Sequence, residues 1–300
     1  MVYRNFDELI AKVQNTDSIK RVVVVAAHDE HTLEAVFKAV DDKIVNPILI
    51  GDKAKIQGIL ERLSVSFDSK HIIGTESDVE SAEKAVEMIR EGEADFIMKG
   101  KINTADLLRA VVDKEKGLRT GSVMSVVALH EVPGYHKLLC VTDGGMMMYP
   151  NLEEKKSVLE NAVNTYKSMG YDTIKVAVLA AVEVVNPKMP ETVDADALKQ
   201  MSLRGEIENC IIEGPISYDL AMSKESAEIK GFDSVVCGDP DIMLVPNITV
   251  GNILSKALMY SAGAKMAGFI VGAKVPIVLT SRGATSEEKY LSLVLSASAV

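Results

Sequence analysis

Short runs of β-branched and other apolar residues recur along the 300-residue chain, separated by longer stretches whose apolar positions return every three or four residues. The short runs predict strands at 21–26, 46–50, 96–98, 123–129, 137–141, 175–179, 210–213, 242–245 and 276–280. The longer stretches predict helices at 30–40, 53–62, 78–91, 104–115, 153–169, 195–204, 217–229, 251–261 and 286–298. Strands that alternate with helices point to an α/β fold with a largely parallel sheet. Several strands run straight into Gly, Asp or Ser before the next helix. Such junctions gather at one edge of a parallel sheet, where ligands bind. The stretch 184–191 carries Pro187 and Pro190 and reads as a loop, and no repeat or linker divides the chain.

Composition narrows the possible partners. At 47% hydrophobic residues the chain has material for one large core or two modest ones. A net charge of −10, with 5% aromatic residues and no Trp, excludes the basic, base-stacking surface that nucleic acid requires. A small anion remains admissible, because an acidic protein can carry a locally basic pocket. No run approaches the roughly 20 apolar residues that span a bilayer, so no membrane partner is expected. The first residues lack the basic-then-apolar layout of a signal peptide. Cys140, Cys210 and Cys237 are widely spaced in apolar surroundings and read as free thiols of a reducing compartment, so a cytoplasmic location is expected. His28 and His31 have metal-ligand spacing but no third ligand; Asp29 between them reads as a helix cap, and no metal is expected.

Two segments concentrate chemistry. The apolar run Pro276-Ile277-Val278-Leu279-Thr280 stops at Ser281-Arg282-Gly283 and passes into a helix start bearing Glu287 and Glu288. A Ser hydroxyl at a strand end can donate to an oxyanion, and an Arg fork can hold phosphate. The same residues also read as a polar turn, and Thr285-x-x-Glu288 also reads as a capping box. The second segment leads from Phe96-Ile97-Met98 through Lys99-Gly100-Lys101 into a helix capped by Asn103 or Thr104, a natural anion site. It lacks the spacing of a Walker loop. Arg109 follows, off the apolar face of this helix, with Asp106 or Asp113 as alternative surface partners. Two further strand exits carry polar loops: Cys140 to Gly145, with Asp143 and Gly144, and Asp241 to Asn252, with Asn247.

In their order along the chain, Ala27-His28-Asp29, Ile50-Gly51-Asp52, Met98-Lys99-Gly100, Thr104 to Arg109, Glu213-Gly214-Pro215, Asp241 to Asn252 and Thr280-Ser281-Arg282 resemble the phosphotransacetylase and phosphotransbutyrylase family over nearly the whole length. The resemblance implies reversible acyl exchange, in which acyl-CoA and phosphate give acyl phosphate and CoA. CoA is then a substrate and no cofactor is implied; the partners are acyl-CoA, CoA, phosphate and acyl phosphate, with at least a homodimer. The implied architecture is two α/β domains around a cleft, similar to isocitrate and isopropylmalate dehydrogenases. The expected division is 1–122 plus 272–300 for the first domain and 123–271 for the second, with the C-terminal segment returning to the first.

By the same resemblance Ser281 and Arg282 match the family's Ser-Arg pair, and Arg109 matches its phosphate-binding Arg. Glu288 stands where acetyl enzymes have an Asp as suspected base for the CoA thiol. Lys99, Gly100, Lys101, Asn103, Thr104, Asp143, Gly144, Asn247 and Asn252 are expected to bind phosphate or CoA. Val278-Leu279-Thr280 replaces the Asn-Asp-Leu of acetyl enzymes; with Glu288, this resembles the butyryl branch and implies an acyl group longer than acetyl. The alternatives are a phosphate acetyltransferase, a same-fold dehydrogenase, an acyl-carrier-protein:phosphate acyltransferase, and a non-catalytic module binding CoA or acyl phosphate.

Overall fold

The computed structural model describes every residue except Met1, Asp17 and Arg282. The chain forms two compact units, Phe6–Ser122 with Ala267–Val300, and Met1–Asn5 with Val123–Met266. The chain enters the first of these through α1 (Phe6–Gln14), β1 (Lys20–Val25), α2 (Glu30–Asp41), β2 (Val45–Gly51), α3 (Lys53–Arg62), β3 (Ile72–Gly74), α4 (Asp78–Arg90), β4 (Phe96–Lys99) and α5 (Thr104–Val111). Val22 to Val25 of β1 are fully buried, as expected of a central strand covered on both faces. α1 was not anticipated; it buries Phe6, Leu9 and Val13, which share one helical face. α5 ends at Val111, short of 115, because the Asp113 carboxylate accepts the Glu115 and Lys116 amides at 2.9 and 2.7 Å and turns the chain.

The other unit follows: β5 (Ser125–Glu131), β6 (Leu139–Thr142), α6 (Leu152–Ser168), β7 (Ile174–Leu179), α7 (Pro190–Leu203), β8 (Cys210–Ile216), α8 (Tyr218–Met222), α9 (Lys224–Lys230), β9 (Ile242–Leu244) and α10 (Ile248–Tyr260). Its strands run in the order β5-β6-β9-β7-β8, parallel except where β5 pairs antiparallel with β6. Pro190 occupies the first turn of α7, so the helix starts earlier than 195. Ser223 breaks the helix expected over 217–229, ending α8 and capping α9 through the Ser226 amide. Residues 2–5 belong to this unit: the Tyr3 hydroxyl donates to the Met169 carbonyl and the Tyr3 amide to the Tyr171 hydroxyl, both at 3.0 Å. Below the strands' N-terminal ends, buried Lys137 meets Asp239 and Asp241 at 2.8 and 2.7 Å, and Lys175 also bonds Asp239.

The chain then returns to the first unit through β10 (Lys265–Val271), β11 (Ile277–Val278) and α11 (Ser286–Ser298). In that unit the strand order is β3-β2-β1-β4-β11-β10. β11 lies parallel to β4, with Ile277 opposite Ile97 and Val278 opposite Met98, and antiparallel to β10. β11 starts only after Pro276, which has no amide to donate though its carbonyl accepts from Ile97 at 3.1 Å, and it ends at Val278, two residues short of Thr280. Among the described residues no helix is long and apolar enough to cross a membrane.

Candidate functional site

Parallel pairing of β1, β2, β4 and β11 sends their exits to one edge of the sheet. At the exit of β1, Ala26 adopts a left-handed conformation with φ of 51°, a cost of about 1–2 kcal/mol for a residue with a Cβ. The turn brings main-chain carbonyls of β1 against the exit of β4. Gly100 donates to Val25 O at 2.8 Å and Lys101 to Ala26 O at 2.9 Å. A Cβ on Gly100 would lie 2.4 Å from Ala26 O, so backbone packing itself demands glycine here. Asn103 then caps α5, accepting from the Ala105 amide at 3.2 Å, and Thr104 is the first helical residue. Lys101 is exposed, and Lys99 Nζ donates to Gly100 O at 3.2 Å.

At the exit of β11, exposed Ser281 accepts the Ala284 amide through its carbonyl at 3.1 Å. Arg282 lies outside the described residues. Thr285 caps α11 by accepting the Glu288 amide at 3.1 Å. At α6 the capping box is closed from both sides, Glu154 also reaching back to the Asn151 amide at 2.9 Å. At α11 only the Thr285 half forms. The Glu288 carboxylate is buried and accepts no hydrogen bond among the described residues. Burial pushes its pKa above the ordinary carboxylate range, against the smaller opposing charge of Lys289.

The next residue faces a different partner. Lys289 Nζ donates to Asp29 at 2.8 Å and to Thr32 Oγ1 at 2.9 Å, fastening the start of α11 to the start of α2. Asp29 caps α2 through the Thr32 amide at 2.9 Å and also accepts the Thr32 hydroxyl. Burial alone would raise the Asp29 pKa, but the bonds from Lys289 and Thr32 outweigh it and hold it to about 2. The sequence reading identified the Asp29 cap and missed Lys289, whose partner lies 260 residues away.

Arg109 sits elsewhere in the same unit. Its side chain is 72% exposed and holds Asp106 at 2.7 Å. With Lys84, Arg90 and Lys116 it lines a cavity of about 750 Å³ between α4 and α5, alongside Glu80, Glu83, Glu87, Asp106 and Asp113. Ser281 and Glu288 are not among the residues lining that cavity. The structure therefore brings Ser281 and Glu288 to one strand exit and Lys99 to Thr104 to the neighbouring one, while Arg109 faces an ion-paired cavity.

In the other unit, β6 and β9 also lead to a common edge. Asp143 is buried; its oxygens accept the amides of Gly145, Met146 and Met147 at 2.8, 3.1 and 2.8 Å. Burial pushes its pKa up, and these amides oppose the rise. A Cβ on Gly144 would lie 2.9 Å from the Gly251 carbonyl carbon, so the loop backbone rests on α10. Asn247 caps α10, accepting from Val250 at 3.1 Å, and Asn252 Nδ2 donates to Gly144 O at 3.3 Å. Of these four residues, Asn252 and Gly144 are hydrogen-bonded to each other, while Asn247 bonds the Val250 amide of its own helix. The cysteines are free thiols; burial pushes Cys140 up to about 12 and Cys210 up to about 11, far from a reactive thiolate.

Residues 74–297 match the family described as phosphate acetyl/butaryl transferase. The chain is 44% identical over 278 residues to the phosphate acetyltransferase of Thermotoga maritima, covering 93% of this chain and 94% of that one. It is 42% identical over 294 residues to the phosphate butyryltransferase of Clostridium acetobutylicum, covering 98% and 97%. Among solved structures, the branched-chain phosphotransacylase of Enterococcus faecalis V583 aligns with a TM-score of 0.81 at 31% identity, covering 93% of this chain and 98% of that one.

Proposed function

Because the chain belongs to the phosphate acetyl/butaryl transferase family, we propose that it moves an acyl group reversibly between CoA and inorganic phosphate. The observation that carries the chemistry is Glu288: a buried carboxylate without a hydrogen bond among the described residues, in the first turn of the helix that follows Ser281. A free thiol has a pKa of about 8.5 and is mostly protonated at neutral pH. A carboxylate whose pKa is raised by burial is better matched to that thiol than an ordinary one.

In the direction of CoA acylation, Glu288 takes the thiol proton and the thiolate attacks the acyl-phosphate carbonyl. The new C–S bond forms as the C–O bond to phosphate breaks, and the electron pair leaves with phosphate. Ser281 donates to the oxyanion and Arg282 holds the phosphate; Arg109, which faces the cavity between α4 and α5, keeps its phosphate-binding role on the family resemblance alone. Lys101, with Lys99, Gly100, Asn103 and Thr104 at the head of α5, adds positive potential for the same anions. Asp143, Gly144, Asn247 and Asn252 form the second binding cluster. The buried, high-pKa thiols favour direct transfer in a ternary complex over a covalent thioester on the enzyme.

Acetyl- and butyryl-transferring relatives lie at 44% and 42% identity, so acyl length rests on particular residues. Glu288 and Val278-Leu279-Thr280 favour butyryl or a branched short chain. The protein acts in the cytoplasm as a homodimer or larger homo-oligomer. The deciding measurement is thiol release from butyryl-CoA with and without phosphate. Phosphate-dependent release with acyl phosphate as product is expected; binding of butyryl-CoA without release would make the chain a non-catalytic module.

A further inference from the structure

We propose that Asp29 and Lys289 are the positioning residues of the base: they fix the start of α11 that carries Glu288, and they keep the Lys289 ammonium from pairing with the Glu288 carboxylate. This deepens the acyl-transfer reading above and rests on it. All the residues concerned lie in the unit Phe6–Ser122 with Ala267–Val300. Glu288 is bracketed in the first turn of α11. On one side the Ser286 hydroxyl donates to Glu34 of α2 at 2.7 Å; on the other, Lys289 Nζ donates to Asp29 at 2.8 Å and to Thr32 Oγ1 at 2.9 Å. The main chain of Glu288 is bonded as well, its amide to Thr285 Oγ1 at 3.1 Å and its carbonyl to Ser292 Oγ at 2.7 Å. Ser292 Oγ in turn accepts the Gly268 amide of β10 at 3.0 Å. None of these bonds uses the Glu288 carboxylate, which stays open to a thiol proton.

Successive helix residues point about 100° apart, so Glu288 leaves α11 in a different direction from Lys289. An ammonium and a carboxylate on neighbouring residues still attract, and an ion-paired carboxylate is a poorer acceptor for a thiol proton. Asp29 draws the ammonium away. It is itself fixed at the head of α2 by the Thr32 amide and hydroxyl, so it cannot follow Lys289 toward Glu288. Fastening alone does not call for charge, since apolar residues of similar volume hold a buried contact as well or better. Burial pushes the Glu288 pKa up, and the Lys289 charge opposes the rise. Other charged groups brought to α11 by the helices and strands packed against it are engaged elsewhere. Lys38 and Asp42 hold Tyr290, Asp7 of α1 bears on the same Tyr290, and Lys99 of β4 donates to Gly100 O. His28, before α2, turns to Asp78 at 3.9 Å. Among the described residues, the charge that bears on Glu288 is Lys289.

The test is the pH profile of kcat/KM for CoA, with butyryl or acetyl phosphate as acyl donor, in the parent, Lys289→Met and Asp29→Asn. Substrate ionisations are common to all three proteins, so only displacement between profiles is read. Lys289→Met removes the charge that favours ionised Glu288, and its acid limb should move to higher pH by at least about half a unit. Asp29→Asn keeps a side chain that caps helices but leaves Lys289 without its counter-charge, and its limb should move to lower pH by a similar amount. Both variants lose the same ion pair. A pair that only fastened the helices would weaken both proteins without moving their limbs in opposite directions. Limbs that coincide with the parent's, or that move the same way in both variants, overturn the inference. Should Lys289→Met fail to fold, the direction of the Asp29→Asn limb decides alone. If the parent acylates CoA from neither donor, the acyl-transfer reading falls and takes this inference with it. An active parent whose profile survives Glu288→Gln removes the base and its positioning together; an active, Glu288-dependent parent with unmoved limbs removes this inference alone.

Discussion

Glu288 caps nothing with its side chain. The bond that starts α11 runs from its backbone amide to Thr285 Oγ1, and Glu288→Gln leaves that bond in place. The substitution therefore separates chemistry from helix formation. As base, Glu288 must be deprotonated, so kcat/KM in the CoA-acylating direction should rise with pH through its raised pKa, above the ordinary carboxylate range. Glu288→Gln should lower kcat roughly 10²- to 10⁴-fold and remove that limb. A variant with the parent's kcat and profile would make Glu288 a structural residue only. Stability should move the other way. A folded-state pKa raised above the unfolded value means that the folded form binds the proton more tightly, so the ionised group costs stability above that pKa. Glu288→Gln should then raise Tm at neutral pH, with the gain shrinking as pH falls into the carboxylate range. Arg109 invites a complementary test. Its exposed pair with Asp106 is worth about 0.3–0.5 kcal/mol, so Arg109→Ala should barely change Tm. It should raise the KM for phosphate far more than the KM for acyl-CoA; equal effects would return Arg109 to its pair with Asp106.

Several helices start at a local side-chain cap, although α7 and α10 begin earlier than the periodicity placed them and α1 was not anticipated. Asp29, Asp52, Ser77, Asn247 and Thr285 each accept the amide three residues on, a signal contained within four residues. Strand exits were legible for the same reason, since apolar runs end at Gly, Asp or Ser. β10 was not legible, because Lys265-Met266-Ala267-Gly268-Phe269-Ile270-Val271 has a glycine at its centre and strand character comes from its partners. Nor was the true constraint on Gly100, which is a carbonyl of β1 some seventy positions earlier in sequence. The fastening of α11 to α2 is the clearest case: Lys289 and Asp29 become neighbours only once the chain has returned. Lys289→Met should therefore destabilise this unit by about 3 kcal/mol, because Asp29 loses the charge that offsets its burial. Asp29 holds a pKa of about 2 against an ordinary carboxylate value, so its stabilising contribution is present above the ordinary value and lost as pH falls toward 2. The difference between Lys289→Met and the parent in urea denaturation should accordingly be largest near neutrality and narrow in acid. A constant difference across that range would mean that packing, not charge, fastens the helices.

At the scale of the molecule, sequence order and unit membership diverge. The unit that opens with Phe6–Ser122 is completed by Ala267–Val300, after the chain has built the whole of Val123–Met266. The returning segment supplies β11, which pairs with β4, and α11, which covers α2 with Lys289, Ser286 and Tyr290. Without it β4 presents an unpaired edge at Ile97 and Met98, and α2 loses the helix packed against it. The other unit carries the strands β5, β6, β9, β7 and β8, parallel except for β5 with β6, and a buried ionic cluster at Lys137, Asp239 and Asp241. Cutting the chain after Met266 should thus affect the two units unequally. Limited proteolysis of the truncated protein should cleave within 6–122 at least about tenfold faster than in the full chain, since local opening free energy there falls toward zero. Val123–Met266 should survive as a protected fragment with near-parent cleavage rates. Equal loss of protection in both units would mean that neither sheet holds without the other, and that the return of the chain stabilises the molecule as a whole instead of one unit.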